Sequence, residues 1–322
     1  MNSERTVLVT GATGFVGSGV LRRLVASSDT KLLGLVRSRG AHLPINVFPV
    51  LMPDEGLMGS IDLQGVQAIV HCAARVHVMD DRAGDPLAEF RKVNVDGTLN
   101  LARQAVTNGV KRFIFISSIK VNGEGSEPGV PYAADDVPNP TDPYGISKME
   151  AELGLQQLAK ETGLEVVIIR PVLVYGPGVK ANFQSMMRWL SKGVPLPLGA
   201  VHNKRSLVAL DNLVDLIVTC LDHPAAANQT FMVSDGEDLS TSELLSRIGA
   251  ALGRPARLLP VPVWLLGLGA TIVGRRGVAR RLCGSLQVDI SKTRELLGWS
   301  PPISVKEALD KTVKAFQANK KG

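Results

Sequence analysis

The stretch TVLVTGATGFVG, residues 6–17, decides the expected fold. Residues 6–10 form a short apolar run typical of a buried strand, and the amphipathic stretch from Gly14 to Ser27 predicts a helix directly after it. Three glycines fall at the turn between strand and helix: Gly11, Gly14 and Gly17. Glycines there allow a tight turn, close approach of a pyrophosphate to backbone N–H groups, and close packing of helix on strand. The stretch therefore predicts a dinucleotide-binding turn.

The rest of the first half alternates short apolar runs with amphipathic stretches, which indicates βαβ units. Further predicted strands cover residues 31–37, 67–74, 112–118 and 165–171, and predicted helices cover 90–105 and 144–162. Residues 211–223 and 229–235 predict one more helix and strand of the same sheet. We therefore expect an α/β fold, a doubly wound parallel sheet of the Rossmann type.

The composition changes after Pro171, where proline and glycine crowd residues 171–199 and helices then predominate. Residues 240–243, Ser-Thr-Ser-Glu, resemble a capping box that opens a helix. We expect a second, smaller and mainly helical domain that binds substrate. The predicted division assigns 1–170 and 206–235 to the dinucleotide-binding domain, and 171–205 and 236–322 to the substrate domain.

The three cysteines, Cys72, Cys220 and Cys283, are scattered and odd in number, which suits a reducing compartment better than a disulfide framework. The chain opens with the polar MNSERT rather than a stretch typical of a signal peptide. Neither the cysteines nor the five histidines have the spacing of a metal site. We therefore expect a cytoplasmic protein without a bound metal.

The net charge is +6, with a local cluster of arginines at 275, 276, 280 and 281. A basic balance is compatible with nucleic acid, an anionic membrane surface or a phosphorylated small ligand. Aromatic residues make up only 4% of the chain and no nucleic-acid-binding motif is present, so nucleic acid is disfavoured. For the cluster, a solvated basic face is favoured over a phosphate site.

The stretch PVPVWLLGLGATIVG, residues 260–274, is apolar but too short to span a bilayer, so stable membrane insertion is not expected. A buried helix or a subunit contact is the favoured interpretation, and an anchor at the membrane surface is the less favoured one.

Arg37 stands twenty residues after Gly17, at the end of the second predicted strand. An acidic residue near this point would accept hydrogen bonds from the ribose hydroxyls of NAD. A guanidinium cannot accept them but can pair with a 2′-phosphate. Arg37 therefore favours NADP(H), while NAD(H) stays possible. The alternative is an ordinary solvated arginine at a strand end.

Tyr144 and Lys148 lie four residues apart in PYGISK, at the start of a predicted helix. Side chains at i and i+4 share a helix face, so the lysine can reach the tyrosine. A cation there would favour the phenolate and lower the pKa of the tyrosine, making it a usable acid or base near neutral pH. The alternative is an exposed surface pair.

Several motifs occur together and in order: TGATGFVG, HCAA (71–74), NVDGTLNL (94–101), SSIKVNGE (117–124), YGISK and RPVLVYGPG (170–178). In this set the chain resembles the extended short-chain dehydrogenase/reductase family, in its group of NAD-dependent sugar-nucleotide epimerases, dehydratases and reductases. The resemblance implies that Ser118, Tyr144 and Lys148 are catalytic and that Lys148 also binds the nicotinamide ribose.

The resemblance also implies the remaining site residues. The cofactor set is Gly11, Thr13, Gly14, Phe15, Val16, Gly17, Arg37, Ala73, Ala74, Asn94, Lys148 and Pro171. The UDP-sugar substrate would contact Ser118, Tyr144, Asn182 and Arg205. A homodimer formed through the helices at 90–105 and 144–162 is the family expectation.

Dehydratases of this group carry Asp-Glu directly after the position of Ser118, where this chain has Ile119 and Lys120, so dehydration is disfavoured. AARVHVM (73–79), SSIKVNGE and DPYGISKMEAE are most similar to bacterial reductases of O-antigen and lipopolysaccharide sugar synthesis. The favoured function is NADPH-dependent reduction of the C4 keto group of a UDP-linked 2-acetamido-2,6-dideoxyhexose. The alternative is a UDP-N-acetylglucosamine or UDP-glucose 4-epimerase with bound NAD, and a remote one is a non-catalytic dinucleotide sensor.

Overall fold

The structure is a computed structural model that describes residues 5–26, 30–76, 84–272, 274 and 276–320, apart from the side chains of Arg276 and Val278. The strands are β1 (Arg5–Thr10), β2 (Thr30–Val36), β3 (Val47–Leu51), β4 (Ala68–His71), β5 (Arg112–Ile116), β6 (Glu165–Pro171), β7 (Leu173–Tyr175), β8 (Arg205–Ala209), β9 (Thr230–Val233) and β10 (Asp238–Leu239). The first four helices are α1 (Phe15–Val25), α2 (Pro86–Arg91), α3 (Gly97–Thr107) and α4 (Pro143–Thr162). The later ones are α5 (Ala181–Ser191), α6 (Leu210–Asp222), α7 (Thr241–Ala251), α8 (Val263–Ile272), α9 (Arg276–Cys283), α10 (Ser291–Leu297) and α11 (Val305–Ala318).

Seven strands form one sheet in the order β3-β2-β1-β4-β5-β6-β9, and every neighbouring pair is parallel. This is the order of a doubly wound nucleotide-binding sheet. The predicted fold class is confirmed. Because all seven strands run the same way, the segments that follow β1, β2, β4, β5 and β6 emerge at one edge, where such folds bind ligands.

Helices cover both faces of this sheet. Alternate residues of β1 point to opposite sides, with Val7 and Val9 packed in the cluster under α1 and α6 and Leu8 in the cluster under α3 and α4. The helix pair α3–α4 approaches closely at Gly154, where an added Cβ would lie 2.8 Å from the Leu99 side chain. Both faces are therefore closed by close-packed helices, as a parallel sheet requires.

A smaller sheet, β10-β8-β7, pairs β7 with β8 in parallel and β8 with β10 antiparallel. A third hydrophobic cluster joins it to α5, α7 and α11; its members include Tyr175, Phe183, Leu207, Leu245 and Leu309. The predicted capping box is present, because Ser240 and Glu243 cap α7 reciprocally. The division into domains at residues 171, 206 and 236 stays a prediction.

Three details differ from the sequence-based expectations. The helix predicted over 90–105 is interrupted by a π-helical turn at Lys92–Asp96, which separates α2 from α3. The edge strand β3 was not predicted. It contains Pro49, and most of its side chains are exposed, so its sequence lacks the apolar run typical of a buried strand. The apolar helix α8 has no buried residue, so of its two favoured interpretations the buried helix is wrong and the subunit contact stays a prediction. In the described residues, no helix is both long and apolar enough to cross a membrane.

Candidate active site

The glycine turn between β1 and α1 is as tight as its sequence predicts. Gly11 has a φ of 63°, and a Cβ on Gly17 would lie 2.3 Å from the Gly11 carbonyl oxygen. The α1 N-cap is Gly14, which has no side chain to satisfy the first N–H groups, and the first turn carries no acidic residue. These open N–H groups and the helix dipole fit the pyrophosphate of a dinucleotide.

The end of β4 is tied to the glycine turn through a buried histidine. His71 Nδ1 lies 2.7 Å from Thr10 Oγ1, and His71 Nε2 lies 3.0 Å from Thr98 Oγ1. The Ala73 N–H donates to Thr10 Oγ1 at 3.1 Å, which brings the predicted cofactor residues after β4 beside the turn. Burial, with a smaller contribution from Lys148, lowers the pKa of His71 to about 3, so the imidazole is neutral.

Helix α4 begins at a proline behind an acidic cap. Asp142 Oδ1 accepts a hydrogen bond from the Gly145 N–H at 2.6 Å, and Pro143 occupies the first turn, where a missing N–H costs nothing. The helix continues unbroken to Thr162 and ends at Gly163, whose φ is 77°. Tyr144 and Lys148 therefore share one face of a well-defined helix, as predicted.

Tyr144 lies near Ser118, which follows β5, close enough for the serine side chain to affect the pKa of the phenol. Burial and the Asp142 carboxylate together raise the pKa of Tyr144 to about 12, and the Ser118 side chain has a smaller, opposite effect. The expectation that Lys148 lowers this pKa is not met in the structure. Burial dominates, so the phenol is protonated at neutral pH.

Lys148 is only 2% exposed. Its Nζ donates to the Ile116 carbonyl at 2.8 Å and lies 4.3 Å from the centroid of the Phe115 ring. Burial lowers the pKa of Lys148 to about 8, against the opposing effects of Cys72 and Glu152. A buried ammonium with one hydrogen bond to protein can donate to further oxygens, such as ribose hydroxyls.

Asn94 lies in the π-helical turn and is buried. Its side-chain amide binds the backbone of Arg75 through two hydrogen bonds. Asn94 Oδ1 accepts from the Arg75 N–H at 2.8 Å, and Nδ2 donates to the Arg75 carbonyl at 3.1 Å. Nδ2 also lies 3.0 Å from Ser147 Oγ, which in turn donates to the Tyr144 carbonyl at 2.8 Å. Asn94 is therefore positioned to hold the segment after β4 against the start of α4.

One buried ion pair below the site was not predicted. Glu152, one turn after Lys148, binds Arg170 at the end of β6, with Arg170 Nη2 2.6 Å from Glu152 Oε2. Ser117 Oγ donates to Glu152 Oε1, and Arg170 Nη1 donates to Asn122 Oδ1 at 3.0 Å. The signal was the spacing of Tyr144, Lys148 and Glu152 at four-residue intervals, which places all three on one helix face.

A second ion-pair group beside the site involves Lys120, two residues after Ser118. Its Nζ binds the Asp142 carboxylate and Glu124 Oε1, the latter at 2.8 Å. Burial lowers the pKa of Lys120, but the two carboxylates outweigh it and the net shift is upward. Lys120 thus links the turn that carries Ser118 to the N-cap of the helix that carries Tyr144.

Four other predicted cofactor and substrate residues lie at separate places around the sheet edge and the smaller sheet. Arg37 is exposed directly after β2, and Pro171 ends β6 at the same sheet edge. Asn182 is exposed in the first turn of α5. Arg205 is half-buried, and its Nη1 donates to the carbonyls of Arg281 and Gly284. No contact in the described residues links Arg37, Asn182 or Arg205 to Tyr144, so their roles stay predictions.

The structure describes only part of the predicted arginine cluster. Arg275 and the side chain of Arg276 lie outside the described residues, as do residues 77–79 of the AARVHVM motif. Arg280 and Arg281 are exposed on α9.

Residues 7–234 match the model of the "NAD dependent epimerase/dehydratase family". The chain belongs to this family. A UDP-glucose 4-epimerase of Vibrio cholerae is 51% identical over 321 residues, covering 98% of this chain and 97% of that protein. The predicted family is confirmed, and with it the assignment to NAD-dependent enzymes of the extended short-chain dehydrogenase/reductase type.

Two solved structures are similar over nearly their whole length. A dTDP-glucose 4,6-dehydratase of Streptomyces venezuelae, solved with NAD bound, has a TM-score of 0.77 and 26% identity, with 98% of each chain covered. A UDP-glucose 4-epimerase of Thermotoga maritima has a TM-score of 0.78 at 24% identity, covering 98% of this chain and 99% of that one. These comparisons do not confirm the narrower resemblance to 4-reductases, and they do not support a preference for NADP(H).

Proposed function

We propose that this chain is a UDP-hexose 4-epimerase, acting on UDP-glucose and UDP-galactose with NAD retained through the reaction. The observation that carries the proposal is the 51% identity, along nearly the full length of both chains, to a UDP-glucose 4-epimerase. It reverses the order of the two functions expected from the sequence, in which the 4-ketoreductase came first. Epimerisation of N-acetylated UDP-hexoses at C4 would be the same reaction, carried out by the same site.

The residues at the edge of the large sheet supply what this reaction needs from the protein. NAD, held by the glycine turn and Lys148, would supply the hydride acceptor and donor for C4 of the sugar. Tyr144 exchanges a proton with the C4 oxygen, and Ser118, whose side chain lies near Tyr144, orients that oxygen. Lys148 offers its buried ammonium to the ribose hydroxyls of the cofactor.

Tyr144 must lose its proton before it can accept one from the sugar, and burial opposes this by raising its pKa to about 12. Lys148 is the cation available to offset that effect. Its pKa of about 8 keeps the ammonium charged near neutral pH, one helical turn from the phenol. Moving that charge from the Ile116 carbonyl towards the cofactor and Tyr144 would favour the phenolate.

For the cofactor, we propose NAD held by the glycine turn, by Ala73 and Ala74 after β4, and by Lys148. The open N-terminus of α1 suits the pyrophosphate. Asn182 and Arg205 are proposed to contact the nucleotide end of the UDP-sugar, and a homodimer formed through the region of α3 and α4 stays part of the proposal.

The second candidate is the NADPH-dependent 4-ketoreductase, which Arg37 favours. Its guanidinium is exposed at the end of β2 and cannot accept hydrogen bonds from the ribose hydroxyls of NAD. The two candidates share Ser118, Tyr144 and Lys148, but an enzyme that consumes NADPH must exchange its cofactor at every turnover, whereas an epimerase regenerates it.

The test uses purified full-length protein. Released nucleotide is identified after denaturation, and UDP-glucose and UDP-galactose are then incubated separately with the native protein, without added cofactor. The proposal expects bound NAD and formation of the same equilibrium mixture from both sugars. NADPH oxidation with a UDP-4-keto-6-deoxy-N-acetylhexosamine, without interconversion of the two hexoses or of their N-acetylated forms, would establish the reductase and reject the epimerase.

A further inference from the structure

Helix α8 is an apolar helix on the surface. None of its ten residues is buried, and Trp264 and Ile272 are 70% and 78% exposed. Leu265 and Leu268 are also exposed, and within the described residues α9 is the one helix or strand that α8 contacts extensively. Soluble proteins rarely expose a contiguous apolar surface of this kind unless it binds something.

The chain around α8 is strongly basic. Residues 244–288 contain seven arginines and no lysine, aspartate, glutamate or histidine, a formal charge of +7. The whole chain carries +6, so the rest of it carries −1. The exposed arginines in the described part of this stretch are Arg254, Arg257, Arg280 and Arg281. The positive charge of the protein is therefore concentrated around its exposed apolar helix.

We infer that this surface, named here the arginine hairpin and comprising the described residues of 254–283, lies on an anionic membrane surface. The apolar side chains of α8 would enter the boundary between headgroups and acyl chains, and the arginines would bind lipid phosphates. A basic surface with Trp and Leu on an apolar helix is the composition that binds such interfaces. With ten residues α8 is about 15 Å long, so it would lie on the bilayer rather than span it.

The charge distribution favours a membrane over a second copy of the chain. A twofold contact through α8 would bring two such basic surfaces together, and residues 254–283 themselves contain no acidic side chain to compensate them, whereas Arg247 before them is paired with Glu237. Anionic lipid headgroups supply the opposite charge at high density. Aromatic stacking on a nucleic acid is disfavoured because Trp264 is the one aromatic residue of the stretch. The inference is independent of the proposed reaction.

The first experiment measures sedimentation of the full-length protein with vesicles. Phosphatidylcholine vesicles are compared with vesicles in which roughly a third of the lipid is phosphatidylglycerol, at about 0.1 M and about 0.5 M salt. The protein should bind the anionic vesicles and not the neutral ones, and high salt should reduce the bound fraction. Equal binding to both vesicle types, or binding to neither, would overturn the inference.

A double variant and its matched control test the charged contribution. Arg280→Ser with Arg281→Ser should weaken binding to anionic vesicles at least tenfold, since each arginine near such a surface contributes roughly fivefold. Lys306→Ser with Lys314→Ser, exposed positions on α11, removes the same charge elsewhere and should have a much smaller effect. If the two double variants weakened vesicle binding equally, the effect would be due to net charge alone, and the proposed role of the arginine hairpin would be rejected.

Trp264→Ser with Leu268→Ser should weaken vesicle binding while interconversion of UDP-glucose and UDP-galactose stays as in wild type. Trp189→Ser, another exposed tryptophan on α5, is its matched control and should bind vesicles normally. Light scattering completes the test. If the Trp264/Leu268 variant changes oligomeric state and wild-type protein does not bind anionic vesicles, α8 is a contact between copies of the chain and the inference fails.

Discussion

The first prediction concerns the buried Glu152–Arg170 pair, because the loss of stability on breaking it can be worked out from the structure. Glu152 and Arg170 have side chains 2% and 4% exposed, and both are fully engaged with one another and with Ser117 and Asn122. Glu152→Gln keeps the shape of the side chain but leaves the Arg170 guanidinium buried without its counter-charge. Breaking a buried pair in this way costs about 3–5 kcal/mol.

The corresponding shift in Tm follows from chain length. Unfolding entropy of about 2.1 cal/mol/K per residue gives about 0.7 kcal/mol/K for a chain of 322 residues. Glu152→Gln should therefore lower Tm by about 4–7 °C, measured by calorimetry or circular dichroism. Replacing both partners by apolar residues, Glu152→Leu with Arg170→Met, should recover part of this loss, because no unpaired charge stays buried.

The control lies on the same helix. Glu150 also binds an arginine, Arg91, with Arg91 Nε 2.8 Å from Glu150 Oε2, but that pair is exposed to solvent. Glu150→Gln should leave Tm close to the wild-type value, since exposed pairs contribute little. Equal shifts for Glu150→Gln and Glu152→Gln would refute the reasoning, because they would show that burial does not set the cost.

Three further predictions concern the site. Tyr144→Phe should reduce turnover on the order of 10²-fold or more while bound NAD is retained, and near-normal turnover would remove Tyr144 from the proton transfer. Lys120→Met should lower kcat by about tenfold with little change in KM, whereas Lys120→Arg should keep most activity, if Lys120 positions Ser118 against α4; a change confined to KM would argue against that role. His71 is neutral in the fold with a pKa of about 3, so the unfolded chain takes up the proton first below pH ~6.5 and stability should fall with decreasing pH, by about 2 kcal/mol at pH 5. His71→Asn should flatten this pH dependence of Tm, and an unchanged slope would assign it to other groups.

The fold and the centre of the site could be predicted because their signals are local. The glycine turn occupies seven consecutive residues, and Tyr144 and Lys148 are one helical turn apart, so their geometry follows from the secondary structure alone. The parallel order of the strands then brings Ser118 and Ala73 to the same edge without further information.

The ion pairs around α4 could not be predicted in the same way. Lys120 and Asp142 are 22 residues apart, and Glu152 and Arg170 are 18 apart with a helix end and a turn between them. Their pairing depends on how α4 packs against β5 and β6, which no local pattern specifies. The cofactor preference inferred from Arg37 stays a prediction for a related reason: a charge at a strand end indicates what could bind there, but not which cofactor the whole site selects.

The position of Tyr144 depends on charged groups at three successive turns of α4. Asp142 at the cap binds Lys120, Lys148 binds the Ile116 carbonyl, and Glu152 binds Arg170. Each partner belongs to β5, to the turn after it, or to β6, so the helix is fixed to the strands on either side of Ser118. The proposed proton transfer to a sugar oxygen requires the phenol and the serine hydroxyl to keep a constant separation, and hydrogen bonds to charged groups resist displacement more strongly than neutral ones. Substitutions along this face should therefore change kcat before they change substrate affinity.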